Sequence, residues 1–526
     1  MLEQVLAARR APVRKSMKVR VGHSKKERMI QWFDPCEAAA LDATLRVACG
    51  VPADQQYLLL DAATMSGVAL SSSMPSDSTY ELCILPAAGA QQAVVVVDPV
   101  STGAVLCHQL VTQRGCSVIV VWSNAIPDEL KAFVDPRTRV TFAGRVQHET
   151  GGLDATCASV REIVADLGLV LVDVMVGCET GVLLTDELSN ALGYRGNGVA
   201  KSELRRNKWL QTEAVRAAGL NACGQALAES WADVDAFIAA QPKGVPFKAV
   251  VKPVDGAGSE GVSVCDSGEE VRRAYESLVG VKNALGLVNR TVLLQEYLKG
   301  DEYVIDTVSR SGVHKCVAIW KYDKRRFNGA PFVYFGLHFK AIDSEPHLRP
   351  MVAYVMGVLS ALGIENGAIH SEVKLEERGP VLIEANCRLH GGEGTWAPMA
   401  EACVGYSQVS GMIDAYLDPL AFAALPEAPS NFVAHAKEAN MSSVVSGTLK
   451  AINPDGMRAI RALSSYRSEI IHTQVGETIE KTIDLLTSCG NINLVNESAP
   501  QLEEDYRRFH EICERGIFTV EDVETN

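Results

Sequence analysis

Apolar and polar positions alternate in short runs from residue 16 onward. Met17, Val19 and Val21 alternate with Lys18 and Arg20, which predicts a half-buried strand over Met17–Val21. Ile30–Phe33 predicts a second strand. A helix start is expected next, with Asp34 as N-cap, Pro35 at the first helical position and Glu37 three residues after the cap. Leu41, Leu45 and Ala48 keep helical spacing, and Gly50 closes the helix. Further strands are predicted at Tyr57–Leu60 and Tyr80–Leu85. Residues 16–88 thus read as a small unit with the order strand, strand, helix, strand, strand. A basic arm over 1–15 precedes it, and Ala88–Gln92 reads as a linker.

Beyond the linker the pattern changes. Ala93–Val97 is wholly apolar, a helix is predicted up to Arg114, and Ser117–Val121 is another apolar strand. A helix follows around Ala155–Leu167, then a strand at Val170–Val176, then a helix carrying Leu184, Leu188 and Leu192. Apolar strands separated by crossover helices predict a doubly wound α/β domain over 91–200. The turn Asp98–Gly103 opens a helix, where anions can bind, but it lacks the Gly-x-Gly-x-x-Gly spacing of a dinucleotide site. The last stretch, 421–526, mixes short strands such as Ser446–Ile452 with an acidic helical segment near Gln501–Glu514.

Composition sharpens this outline. The 526 residues should hold three to four domains at about 150 residues each. Fifty Lys and Arg against 64 Asp and Glu give a net charge of −14, which argues against a chain that coats nucleic acid or anionic lipid. No apolar run approaches the roughly 20 residues of a membrane span. The 14 cysteines are scattered, with no Cys-x-x-Cys pair, so a reducing compartment is expected, and neither a zinc site nor a disulfide framework. Nine Lys and Arg within residues 1–28 admit a transit peptide as well as a basic arm. The alternation at Met17–Val21 favours the arm, and a cytoplasmic location.

Chemistry concentrates in 201–420, where four features follow in order. Lys208 lies within a predicted helix, Ser202–Ala218. Phe247–Val251 predicts a buried strand with Lys252 at its end. The loop after it carries Gly256, Gly258, Ser259 and Gly261, whose backbone N–H groups can approach phosphate oxygens. This is not P-loop spacing, because no Gly-Lys-Ser/Thr closes it. A strand then ends in Glu296-Tyr297-Leu298 and resumes after Gly300. Such a hinge can present backbone groups and Glu296 to an adenine edge, with Glu302 placed for ribose hydroxyls. Last, 367–375 and 380–388 predict two strands joined by a short polar turn. Glu384 and Asn386 are two apart and share a face, and Glu372 can lie across from them. Converging hard oxygen ligands suit Mg²⁺. Arg388 again shares that face and can grip a transferring phosphoryl group. The competing account of this last feature is a structural salt-bridge cluster.

These four features in this order resemble the ATP-grasp superfamily. Val176-Gly-Cys-Glu-Thr-Gly-Val182, the run Leu192–Gly198, and the segments Trp320–Lys340, Ser446–Lys450 and Val475–Leu494 resemble its L-amino-acid ligase branch, which includes dipeptide and dapdiamide-type ligases. The resemblance implies a mixed α/β and α+β multidomain chain. A Rossmann-like pre-ATP-grasp domain would span 91–200, an ATP-grasp core 201–420 and a C-terminal α+β ligase subdomain 421–526. Lys208 and Lys252 would hold ATP phosphates beneath the Gly256–Gly261 loop, Glu296 and Leu298 would meet adenine, and Glu302 the ribose. Glu372, Glu384 and Asn386 would bind Mg²⁺, as two ions, with Mn²⁺ an alternative. Arg388 would steady the phosphoryl group. Glu179 would read a substrate amino group, and His370 would approach the phosphates. The glycine loop and Trp320–Lys340 would act as lids.

Two departures stand out: Asn207 where the family often has Asp, and Cys387 where Pro is common. Residues 16–88 resemble a ubiquitin-like or PB1-like β-grasp module, which would add a protein partner. An α+β cap on the next domain is the equal alternative. The expected activity is an ADP-forming ligation of a small carboxylate to an amine by a homodimer. A carboxylase-like enzyme activating bicarbonate, and an ATP-responsive interaction protein, are the alternatives.

Overall fold

The computed structural model describes residues 13–521 except 22–26, 88, 132–133, 135–138, 150–151, 242–243, 245, 255–260, 283–287 and 486. Residues 1–12 of the basic arm, and Gly256, Gly258 and Ser259 of the glycine loop, therefore lie outside the described residues.

The N-terminal unit contains β1 (Val13–Val21), β2 (Glu27–Asp34), a helix at Ala38–Cys49, β3 (Tyr57–Asp61) and β4 (Ser78–Ile84). The sheet order is β2-β1-β4-β3, with β1 parallel to β4. Leu41 and Leu45 of the helix pack on Met17, Val19, Ile30 and Trp32, which explains the alternation in β1 and β2. The helix starts later than the sequence pattern suggests. Asp34 ends β2 opposite Val13 and pairs with Lys15 at 2.8 Å, so it is committed to the sheet, and Glu37 takes the N-cap position. Gly50 ends the helix at φ 69°, as expected.

This unit is fastened to the rest of the chain by a buried ion pair. Glu81 of β4 is 3% exposed and Arg310 is 1% exposed. Glu81 accepts from Arg310 at 3.0 Å and from Ser311 Oγ at 2.5 Å. Leu60, Met65 and Cys83 join the main hydrophobic core beside this pair.

The α/β unit has β5 (Gln92–Val97), β6 (Ser117–Trp122), β7 (Gly144–Gln147) and β8 (Val170–Val176), all parallel in the order β7-β6-β5-β8. Val94 and Val96 face one core while Ala93, Val95 and Val97 face another, which is why β5 carries no polar position after Gln92. Strand β7 escapes the sequence pattern because only Val146 of its four residues is buried.

A four-stranded antiparallel sheet follows: β9 (Gln225–Ala228), β10 (Ala249–Pro253), β11 (Ser263–Cys265) and β12 (Val292–Glu296), ordered β11-β10-β12-β9. Helices Trp231–Ala240 and Gly268–Leu278 cover one face through Val234, Phe237, Val271 and Tyr275. The other face looks onto the largest sheet of the molecule.

That sheet begins with β13 (Glu302–Arg310), β14 (Val313–Phe327), β15 (Ala330–Phe339), β16 (Gly367–Glu376) and β17 (Gly379–Asn386). The chain continues through β18 (His435–Met441), β19 (Gly447–Ile452), β20 (Tyr466–Ile471), β21 (Thr478–Ile479), β22 (Gly490–Asn496) and β23 (Phe518–Val520). The eight-stranded order is β17-β16-β13-β14-β15-β18-β22-β20, and β21-β19-β23 form a small separate sheet. The expected division at 420/421 falls inside the helix Pro419–Ala424, and the sheet runs on across it through the pairing Gly336↔Ala439.

Trp320–Lys340, expected as a lid, forms a two-stranded hairpin arm whose Lys324, Pro331 and Phe332 line the cleft between this sheet and the four-stranded one. It forms much of the β14–β15 hairpin at the middle of this sheet, with β13 on one side and β18 on the other. Its base is fixed, with Trp320 fully buried and Gly336–His338 paired to β18, whereas within Tyr322–Tyr334 the two strands pair with each other alone. Among the described residues, no helix is long and apolar enough to cross a membrane.

Candidate active site

A cleft lies between the four-stranded and eight-stranded sheets. Strand parity aims its residues: Ala249 and Val251 of β10 enter the helical core, so Val250 and Lys252 face the cleft. Lys252 is 6% exposed and, among the described residues, forms no hydrogen bond or ion pair. Burial, and then the charge of Lys208, hold its pKa below the ordinary lysine value.

Lys208 is the first residue of the helix Lys208–Ala217, whereas the sequence pattern placed it inside a longer one. Asn207 caps that helix by accepting from Leu210 N at 3.0 Å, which gives the departure at this position a local reason. The helix is clamped to β17 by Gln211, which donates to Ala385 O at 2.8 Å and accepts from Ala385 N at 3.0 Å. Lys208 thereby reaches Glu384, Nζ to Oε2, at 2.8 Å.

The β16–β17 hairpin brings Glu372 directly opposite Glu384, and His370 opposite Asn386. A bulge follows this pair and leaves Ile383 as an extra residue, so both Ile383 and Glu384 line the cleft. Asn386 Nδ2 donates to Glu384 Oε1 at 3.0 Å. Burial pushes the Glu384 carboxyl up, but Lys208 and Lys252 outweigh it and hold the group well below the usual carboxylate range. Glu372 is also lowered: burial and the Glu384 charge oppose ionisation, but the His370 hydrogen bond and the charges of Lys324 and His370 together outweigh them. Two ionised carboxylates side by side, with Asn386 next to them, are a donor set that fits a Mg²⁺ ion shared with phosphates.

The adenine-side expectations fall on the same cleft. Glu296, Leu298 and Glu302 all line it, together with Tyr297 and Phe332, whose rings stack at 6.3 Å. The Glu296 carboxylate is already engaged, accepting from Gly224 N at 2.7 Å and from Arg378. Glu302 is paired with Lys324 and lies 3.4 Å from Lys374. Gly261 is described at φ 68°, just after the undescribed loop.

Arg388 does not line this pocket, but its charge is felt by His370, which bonds Glu372. The Arg388 Nε lies 3.0 Å from Glu179 Oε2, and Arg206 also pairs with Glu179. Behind Glu372, Asp306 is fully buried and joins His370 Nδ1, His390 Nδ1 and Trp320 Nε1, each at 2.9 Å. Asp306, His370 and His390 converge closely enough to be metal donors, yet each imidazole already bonds the carboxylate directly. Burial works against the His370 cation, but Asp306 and Glu372 raise its pKa to about 9.

Lys324, Lys374, Tyr297, Phe332 and Asp306 were missed from the sequence. Lys374 carried a usable signal, since it lies two residues after Glu372 and so shares its face. Asp306 carried none, because its partners are set by long-range pairing.

Two sheets closing on a lysine- and carboxylate-lined cleft define a nucleotide-binding ligase-type fold. Residues 245–396 match the ATP-grasp domain family, so the central part of the chain is an ATP-grasp domain. The chain is homologous to dapdiamide A synthase of Enterobacter agglomerans, at 29% identity over 348 residues that cover 64% of this chain and 78% of that one. Among solved structures it resembles the L-amino acid ligase from Bacillus licheniformis. The TM-score there is 0.62 at 19% identity, over 82% of this chain and 100% of the other. A carboxyaminoimidazole ribonucleotide synthase of Aspergillus clavatus complexed with ATP gives a TM-score of 0.58 at 15% identity, over 81% and 99%.

Proposed function

We propose that the chain is an ATP-dependent, ADP-forming carboxylate–amine ligase. The supporting observation is the convergence of Lys208, Lys252, Glu372, Glu384 and Asn386 at one cleft, with the Arg388 charge close enough to act on His370 beside Glu372. A carboxylate is a poor electrophile, so its oxygen attacks the γ-phosphorus of ATP, giving an acyl phosphate and ADP. An amine nitrogen then attacks the acyl carbon, the phosphate leaves with the C–O electron pair, and the amine proton passes to solvent. Lys252, a buried ammonium without a partner, holds phosphate oxygens, and Lys208 tethers Glu384 while sharing that task. Glu372, Glu384 and Asn386 hold Mg²⁺, two ions on this reading with Mn²⁺ as a substitute, which neutralises charge on the transferring group. Arg388 meets the phosphoryl group and the tetrahedral intermediate. Glu296 and Leu298 border adenine, and Glu302 the ribose.

The substrates are a small carboxylate, an amino acid on this reading, and an amine. The N-terminal sheet, read as a β-grasp-type module, would recruit a protein partner. A homodimer and a cytoplasmic location complete the proposal. The test is ADP release from Mg-ATP across amino-acid and amine pairs, with mass spectrometry of products. Release should need both substrates and fall by about 10²–10³-fold in Glu384→Gln. Undiminished release in that variant, or release that depends on bicarbonate alone, overturns the reading.

A further inference from the structure

The face that carries Glu372 and Glu384 continues across the large sheet to a second pair of acceptors. Tyr322 hydroxyl lies 3.5 Å from Glu372 Oε1, and Tyr322 pairs with Leu337, Leu337 with Glu438, and Glu438 with Asn493. Residues directly opposite in antiparallel strands share a face, so Glu438 and Asn493 project from the same side as Glu372. Both meet Thr395, near the end of the segment that follows Arg388. Thr395 Oγ1 donates to Glu438 Oε2 at 2.6 Å and to Gly392 O at 3.0 Å. Asn493 Nδ2 donates to Thr395 O at 2.7 Å, which orients its amide and leaves Oδ1 buried without a partner.

The chemistry of this pair is one-sided. Glu438 is half-buried, and its chain neighbour Lys437 alternates to the other face of the strand, where it pairs with Glu503. Burial pushes the Glu438 carboxyl up to about 7 against the single Thr395 hydrogen bond. Asn493 is 5% exposed. A carboxylate and an amide oxygen, both held in place and both short of donors, match the three N–H groups of an ammonium ion. Glu179, the residue first expected to read an amine, is already engaged by Arg206 and Arg388.

We propose that Glu438 and Asn493 form a cation subsite that selects a substrate bearing an ammonium group remote from its reacting carboxylate, such as a diamino acid. This rests on the ligase reading. The test measures ADP release by the full chain with ornithine and with norvaline, its near-isostere lacking the terminal amine, each against a common set of partner amines. The parent should prefer ornithine by at least about tenfold in kcat/KM. Glu438→Gln should remove that preference while leaving the KM for ATP unchanged, and Asn493→Leu should weaken it. An ornithine-to-norvaline ratio that is unchanged in Glu438→Gln overturns the subsite and leaves the ligase reading standing. Should no pair turn over, the ligase reading falls, and calorimetric binding of the two amino acids in Mg-ADP still decides: tighter ornithine binding lost in Glu438→Gln supports the subsite, and equal binding overturns it.

Discussion

Two buried cations show how differently this chain uses charge. Arg310 and Lys252 are both almost wholly buried. Arg310 is surrounded by acceptors: Glu81 at 3.0 Å, Ala415 O at 2.6 Å and Cys83 Sγ at 3.2 Å. Lys252 has no partner among the described residues and borders a cleft. An ion whose desolvation is compensated by direct partners within the chain is structural, whereas one held only by longer-range carboxylates beside a cleft is poised for a ligand. Protein stability should therefore respond to the first, and nucleotide binding to the second.

The largest effect is expected at the N-terminal junction. Glu81→Ala strands Arg310 without its carboxylate and should cost about 3–5 kcal/mol of stability, read by denaturant or thermal unfolding. The pH dependence sharpens the point. Burial raises the Glu81 carboxyl, but Arg310 and Arg195 outweigh it and hold it below its unfolded value. Stability from this group is thus fully present above the unfolded pKa near 4.5 and is lost as pH falls through the lower folded value. The parent should lose stability below about pH 4.5 more steeply than Glu81→Gln. Equal slopes would remove Glu81 from the clamp.

Lys252→Met should behave in the opposite way. It removes a buried charge that no direct ion pair holds and that Glu384 and Glu372 offset only at longer range, so unfolding of the ligand-free protein should shift little. Apparent ATP affinity should fall by about 10–100-fold, and with it the stabilisation that saturating Mg-ATP confers on the parent. A clear loss of ligand-free stability would place Lys252 in the same structural class as Arg310 and break the contrast.

The same contrast explains what the sequence disclosed. The hairpin Gly367–Asn386 was legible because Glu372 and Glu384 lie next to apolar residues in two strands joined by a short polar turn, and period-two parity puts Glu384 and Asn386 on one face. Lys208 and Lys252 were legible only through their order relative to it. The strands of the β14–β15 hairpin were not legible because Lys324, Arg325, Arg326, Asn328 and Gly329 carry no strand alternation. They form the tip of strands whose middle holds fully buried Trp320, and local composition does not reveal where a hairpin turns from sheet to tip. Asp306 and Glu438 stayed hidden because their neighbours come from pairings more than fifty residues apart, such as Asp306↔His370 and Leu337↔Glu438. Asn207 was read as a weak match in register, yet its role is local and lies in the cap.

That cap gives the smallest and most selective test. Asn207 Oδ1 satisfies Leu210 N at the start of the helix whose first residue is Lys208. Asn207→Ala removes the bond and should cost about 1 kcal/mol of stability, while Asn207→Asp should retain it. The far side of the helix stays clamped to Ala385 through Gln211, so the fold should persist and only the first turn should loosen. Lys208 would then hold Glu384 less well, and the KM for ATP should rise a few-fold in Asn207→Ala and recover in Asn207→Asp. A KM that stays at the parent value while stability falls would show that Lys208 is positioned by Gln211 alone. The contrast between the two kinds of buried charge would then stop at Lys252 and leave Lys208 as a partner to Glu384.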